Sequence, residues 1–262
     1  MTEEVRTTDR DGVRWIELDR PESRNGLTVD VNRKVITALR EVEGRDETRV
    51  IVLTGAGGNF CSGLDLKDAV RRGPISADQI EIQLREVFHG LIRSIRAVSL
   101  PVVAAVDGAA VGFGCDLALA CDLRLVSERA SFAELFVRRG LMPDGGSTFS
   151  LPRLIGVGRA LELLFTGDSV DAEQALRFGL ANRMFANEEF EPGVFEFAKR
   201  LANGPPLVHR AIKQCVYASL EGGLDEALDR EARNQVQILR SADFAEGIAA
   251  FLAKRAPVFR GR

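Results

Sequence analysis

Apolar positions along the chain recur with two different periods, and the change from one to the other divides it. In the first half, short apolar runs alternate with longer amphipathic ones. Val13 to Leu18 (VRWIEL) reads as a strand, PESRNG supplies turn chemistry, and Thr28 opens a helical pattern that carries Val31, Val35, Ile36, Leu39 and Val42. Val50 to Leu53 predicts a buried strand leading into the loop TGAGGNFCSG. The spacing of Ile80, Leu84, Val87, Leu91 and Ile95 predicts a helix over 79–98 with one apolar face. PVVAAVDG then reads as a strand ending in a glycine turn, and LRLVS as another. From Gly156 onward helical periods dominate, with Asp171 and Ser241 as N-caps and Gly167, Gly179 and Gly204 as stops. The fold class is therefore α/β, an alternating body followed by a helical C-terminal third. No low-complexity linker separates the two, so they read as one domain with an extension, divided as 1–200 and 201–262.

Composition narrows the functions this pattern serves. At 45% hydrophobic and 28% charged residues, the 262-residue chain can bury a substantial core. A net charge of -3 gives no global basic field, which argues against nucleic acid as a partner. The longest apolar run, Leu100 to Leu119, is interrupted by Asp107 and Asp116 and diluted by Gly and Ala, so it reads as buried strand and helix and not as a membrane span. The N-terminal MTEEVRTTDRDG is too charged for a secretory signal, and a cytoplasmic location is expected. Cys61, Cys115, Cys121 and Cys215 form no CxxC pair, and only His89 and His209 are present to join them; neither a metal site nor a disulfide framework is supported.

Two glycine-rich loops follow strands, and both suit the exposure of backbone amides. In GNFCSGLDLK, Gly58 to Lys67, a positive φ at Gly63 would turn the chain outward and leave the Leu64 amide free. In DGAAVGFGCDLALACDL, Gly112 and Gly114 precede a small-residue helix whose first amides, that of Phe113 among them, have no partner within the helix and sit at its positive end. If the two amides converge they form an oxyanion hole, which stabilises charge developing on a carbonyl oxygen. Each loop taken alone is equally well read as a tight turn with glycines for packing.

Four segments in order resemble the crotonase (enoyl-CoA hydratase/isomerase) superfamily. RPESRNGLT is similar to its RPxxxNAL segment, FCSGLDL to its FxAGxDL loop, DGAAVGFGCDLALACDLRL to its second oxyanion loop and helix, and EGIAAFLAKRAPVFRGR to its C-terminal EGxxAFxEKRxPxFxGR ending. The resemblance implies a crotonase-like spiral of ββα turns with a helical C-terminal trimerisation region, assembled as a homotrimer or as a hexamer of paired trimers. It implies an acyl-CoA thioester as substrate, its carbonyl oxygen held by the amides of Leu64 and Phe113, with no metal or redox cofactor and no membrane partner. Along the coenzyme it implies Arg24, Ser62, Gly63, Asp65, Leu66, Lys67 and Gly112, with Phe251 and Lys254 contributed by a neighbouring subunit. Asp65 reads equally as an acid that staples its own loop, and a lysine the family carries two residues before the phenylalanine of FCSG is Gly58 here.

The acids decide which reaction to expect. Hydratases of the family place two glutamates about the substrate; Asp116 stands at one of these positions and Phe136 at the other. Hydration needs a base for water and an acid for carbon, so the loss at Phe136 removes half of the constellation. Glu134, two residues earlier, reads as a structural or surface acid, and Asp122 as structural. Asp144, in GLMPDGGST, matches an aspartate of the family's isomerase branch, and PDGGS resembles the phenylacetate-pathway type. An isomerase moves one proton between two carbons and needs no activated water. Asp144 and Asp116 are thus expected to transfer protons, in a pocket walled by Phe88, Phe113, Phe136 and Met142. Two plainer roles stand beside these: Asp144 as the N-cap of the helix running to Ile155, and Asp116 as a first-turn acid. The expected activity is acyl-CoA isomerisation, with enoyl-CoA hydration and non-catalytic acyl-CoA binding as alternatives.

Overall fold

The computed structural model describes residues 3–45 and 47–262. Strands β1 (Val5–Arg10), β2 (Val13–Leu18), β3 (Val50–Gly55) and β4 (Val102–Val106) run into one large sheet, and β5 (Ala109–Val111) begins a second. They are followed by β6 (Leu123–Ser127), β7 (Ser131–Ala133), β8 (Ser169–Asp171) and β9 (Arg183–Phe185). The large sheet has the order β1-β2-β3-β4-β6-β9, antiparallel between β1 and β2 and parallel elsewhere; the small one has the order β5-β7-β8.

The apolar runs of β3 and β4 are explained by cover on both faces. Ile51, Leu53, Val102, Ala104 and Val106 join the main core with Val35, Leu39, Leu91 and Ile95 from the helices Val29–Arg40 and His89–Ala97. Val50, Val52, Val103 and Ala105 face the other way, against Phe190, Val194 and Ala198 of the helix Phe190–Ala202. The expected strands, helix starts and stops are largely as described above: Thr28, Asp171 and Ser241 cap helices through their side chains, and Gly167 and Gly179 end helices in the left-handed conformation.

Three features depart from the sequence reading. β1 is an edge strand with only Val5 buried, so VRTTDR carried no apolar alternation to mark it. The helix expected over 79–98 runs from Ala77 to Ala97 with its Leu84–Phe88 turn wound as π, and the added residue in that turn rotates Ile80 out to solvent while Val87, Phe88, Leu91 and Ile95 stay buried. A boundary at residue 200 falls inside the helix Phe190–Ala202, which is packed on the large sheet and belongs to the body.

The small sheet positions the candidate site. Cys61 bridges to Ala110 of β5, with Cys61 N donating to the Ala109 carbonyl at 3.0 Å and Val111 N to the Cys61 carbonyl at 2.9 Å. That pairing lays the first glycine loop against the start of the helix Phe113–Ala120. A Cβ at Gly114 would lie 2.2 Å from the Cys61 carbonyl oxygen, so only glycine permits this approach.

Candidate active site

The segment before the first glycine loop acts as its strut. Asn25 Nδ2 donates to the carbonyls of Ala56 and Asn59, and Ser62 is tied to Arg24 and Ser23 through its amide and its hydroxyl. Leu27 N donates to the Gly63 carbonyl at 2.7 Å and Asp65 N to the Leu27 carbonyl at 2.9 Å. With both flanks pinned to Leu27 and Gly63 at φ 85°, the Leu64 amide is left pointing away from the loop. Phe113 is the first residue of its helix, after Gly112 at φ 54°. Neither the Leu64 nor the Phe113 amide has an acceptor among the described residues. A Cβ on Gly63 would come within 3.2 Å of Phe113 N, which shows how closely the two loops meet.

Leu64 and Phe113 both line one chamber of about 130 Å³, bounded also by Gly63 and Gly112 and closed on its apolar side by Leu84, Phe88, Phe136 and Leu141. The Phe88 and Phe113 rings meet edge to face at 5.2 Å. Through Ser62, Leu64, Leu66 and Arg139 the chamber continues into an outer groove of about 680 Å³, where Arg20 and Arg71 are paired with Asp65 and Asp68 and where Arg24, Lys67 and Arg139 stand with Glu22. Arg24, Ser62, Asp65, Leu66 and Lys67 all line this groove. Asp65 has a structural duty as well: its Oδ1 accepts from Asp68 N and caps the helix Leu66–Arg72, and its Oδ2 pairs with Arg20. Phe251 and Lys254, at the end of the last helix, are exposed and line neither chamber of their own chain.

The two aspartates part company here. Asp144 lines the chamber and is the one acid among its lining residues. Its side chain does not cap the following helix, Ser147–Ile155, whose N-cap is Gly146. Half-burial pushes the Asp144 carboxyl up, and the nearby His89 draws it partly back. His89 also holds the turn, because its Nε2 bonds the Asp144 carbonyl oxygen at 2.8 Å. Asp116 is 1% exposed and absent from the chamber wall. Its Oδ1 accepts from Ser147 N at 2.7 Å, so it caps the helix Ser147–Ile155 from outside that helix. The cap expected of Asp144 is therefore supplied by Asp116, and Asp116 leaves the set of groups that face a substrate. Burial pushes the Asp116 carboxyl up to about 7.

Two further expectations are corrected. Met142 is 73% exposed and does not wall the pocket. The chain reverses at Gly140, φ 69°, and Leu141 N returns to the Phe136 carbonyl, which turns Leu141 toward the chamber and Met142 away. Glu134, read as a structural or surface acid, is not at the surface: it is 2% exposed and lies one residue beyond the end of β7. Phe60 and Phe132 are core residues. Phe136 stands over Gly112, with its ring 3.9 Å from where a Cβ would sit, and fills the place of the second acid with apolar surface. His89, Arg139, Leu84 and Leu141 were missed as site residues by the sequence reading, and His89 was weighed only as a metal ligand.

Comparison with known proteins completes this picture. The family model Enoyl-CoA hydratase/isomerase matches residues 8–262. A Rhodobacter capsulatus protein described as "Probable enoyl-CoA hydratase" is 41% identical over 98% of both chains. The 1,2-epoxyphenylacetyl-CoA isomerase of Escherichia coli is 36% identical over 96% of both. The crystal structure of enoyl-CoA hydratase from Bacillus anthracis superposes with a TM-score of 0.94 at 31% identity, covering 99% of this chain and all of that one.

Proposed function

Because the chain belongs to the enoyl-CoA hydratase/isomerase family of the crotonase fold, we propose that it is an acyl-CoA isomerase whose proton carrier is Asp144. The observation that carries this reading is that Asp144 is the one acid lining a chamber also lined by Leu64 and Phe113, whose amides are unpaired among the described residues. In the proposed reaction the Asp144 carboxylate takes a proton from C2 of a 3-enoyl-CoA. The C–H electron pair moves into a C1–C2 double bond, and the charge passes to the thioester oxygen, where the Leu64 and Phe113 amides hold it. Collapse of the enolate restores the carbonyl and forms the C2–C3 double bond, while the former C3–C4 pair takes the proton back from Asp144 at C4. No water, metal or redox cofactor enters this sequence.

The coenzyme runs along the groove of Arg24, Ser62, Asp65, Leu66 and Lys67, whose cations suit its phosphates. Phe251 and Lys254 of a neighbouring subunit complete the site in a homotrimer or a hexamer of paired trimers. Four free cysteines, three of them buried, accord with a cytoplasmic location.

A second reading, hydration of 2-enoyl-CoA, is favoured by the Rhodobacter relative. It is disfavoured by Phe136, since a water held between two carboxylates has only Asp144 in the chamber to hold it. Parallel assays with 3-enoyl-CoA and 2-enoyl-CoA separate the two. Conjugation of the first with little hydration of the second is expected; the reverse preference rejects the isomerase, and tight binding without turnover on either makes the protein an acyl-CoA binder.

A further inference from the structure

Behind Asp144 lies an acidic enclosure that the proposed reaction does not use. Asp116 and Glu134 are 1% and 2% exposed; the Gly112 amide, bonded to the Ala133 carbonyl at 2.8 Å, lays the end of β7 with Glu134 against the helix Phe113–Ala120 that carries Cys115 and Asp116, and Asp116 in turn holds the amide of the fully buried Ser147. Asp116 Oδ2, both carboxyl oxygens of Glu134 and Ser147 Oγ have no hydrogen-bond partner among the described residues. Among the described residues no cation is paired with either acid. Two ionised carboxylates in one dry enclosure repel each other and forfeit hydration as well, so the pair must hold a proton.

The surroundings decide which acid holds it. Asp116 Oδ1 receives the Ser147 amide at 2.7 Å and faces the positive end of a nine-residue helix, and both favour its charge. Glu134 has neither. A neutral carboxyl must place its O–H on an acceptor, and Asp116 Oδ2 is an acceptor with no donor among the described residues. The turn from Asp144 to Ser147 runs directly over Asp116: a Cβ on Gly145 would lie 2.5 Å from both Cβ and Oδ2 of that residue.

We propose that Glu134 is a positioning residue: its carboxyl O–H donates to Asp116 Oδ2, and the pair fixes the turn that presents Asp144 to the chamber. Glu134 touches no substrate and acts through Asp116, Ser147 and Gly145. The kinetic part of its test rests on the reading of Asp144 as proton carrier; the other parts do not.

Infrared spectra of the substrate-free protein at neutral pH, wild type against E134Q, read the proton itself. A protonated-carboxyl band present in the wild type and lost in E134Q is expected; a wild type without it, or a band that survives in E134Q, overturns the proposal. Amide exchange reads the positioning. In E134L the Ser147 amide is expected to exchange about tenfold faster, as for the loss of one buried hydrogen bond, while E134Q, which keeps a donor toward Asp116, stays near the wild type. Equal exchange in all three proteins overturns the positioning role, and equal acceleration in both variants overturns the donor role. On whichever enoyl-CoA turns over, kcat of E134L is expected to fall about 10- to 100-fold, with KM little changed, because the chamber wall is untouched. If E134L does not fold, the infrared comparison still decides the shared proton, and exchange in E134A against E134Q decides the positioning: E134A, which removes the donor, must loosen Ser147 and E134Q must not.

Discussion

At Asp144 two influences of opposite sign meet on one carboxyl: half-burial raises it and His89 lowers it, with burial the larger. A base works only when ionised, so kcat/KM is expected to rise with pH through a value above the ordinary aspartate range. His89→Gln keeps a donor for the Asp144 carbonyl oxygen but removes the imidazole charge, and should move this acid limb to higher pH. Asp144→Asn should lower kcat about 10²- to 10⁴-fold, the usual worth of a positioned proton carrier. A pH profile of the two variants checks both, and an Asp144→Asn enzyme with wild-type turnover would remove the residue from the reaction. Much of this site was legible in the sequence for a physical reason. Backbone amides are offered by glycine conformations, and Gly63 and Gly112 announce theirs in the residue type itself. Side-chain direction is announced less well. Glu134 and Phe136 are two apart, yet one is sealed in the interior and the other lines the chamber, because both lie beyond the end of β7 at Ala133, where strand alternation no longer sets direction. Asp116 holds the cap that was the plainer role of Asp144, because which acid caps a helix depends on how two distant segments cross.

At the scale of elements, the helix Pro206–Ser219 is fastened to the body by one acid. Asp122 Oδ2 accepts from Val102 N at 2.7 Å and pairs with Lys213 Nζ at 2.8 Å, and its Oδ1 accepts from the Tyr217 hydroxyl. Lys213 also donates to the carbonyls of Ile95 and Leu100, so burial, which pulls its ammonium below the usual lysine range, is offset by three acceptors. Lys213→Met is expected to cost about 2–3 kcal/mol in urea unfolding, less than a fully stranded charge would, because Asp122 keeps Val102 N and Tyr217. Arg85→Met breaks an exposed pair with Glu81 and should change stability by less than about 0.5 kcal/mol. Equal costs for the two would deny the fastening role. These same elements show where sequence reading stops. Long periodic helices and the fully buried β3 and β4 were plain, whereas β5, β7, β8 and β9 are three residues each, too short for a period to register. Their pairing is imposed by the loops and helices they join, and that pairing is what aligns the site.

Across the whole molecule, the last helices keep apolar residues that one chain does not cover. Leu224, Leu228, Phe244, Ile248, Phe251 and Leu252 are all exposed, and Phe251 is 80% so. Exposed apolar residues of this kind on the two helices that follow the fastened one, Leu224–Ile238 and Ala242–Leu252, ask for a partner surface, as large exposed apolar patches do. The proposed trimer supplies one from identical chains and would bring Phe251 and Lys254 of one subunit to the coenzyme groove of the next. Assembly and coenzyme affinity should then fail together. Phe251→Asp combined with Leu252→Asp places two charges among these apolar residues without touching the chamber, the Asp144 turn or the Asp122 anchor, so each chain should keep its fold. Sedimentation velocity is expected to show a trimer or hexamer for the wild type and smaller species for the double variant, with weakened acyl-CoA binding by titration. A variant that stays assembled, or one that dissociates and binds acyl-CoA as tightly as before, would separate the two roles of this end of the chain and leave the groove of Arg24 and Lys67 sufficient by itself.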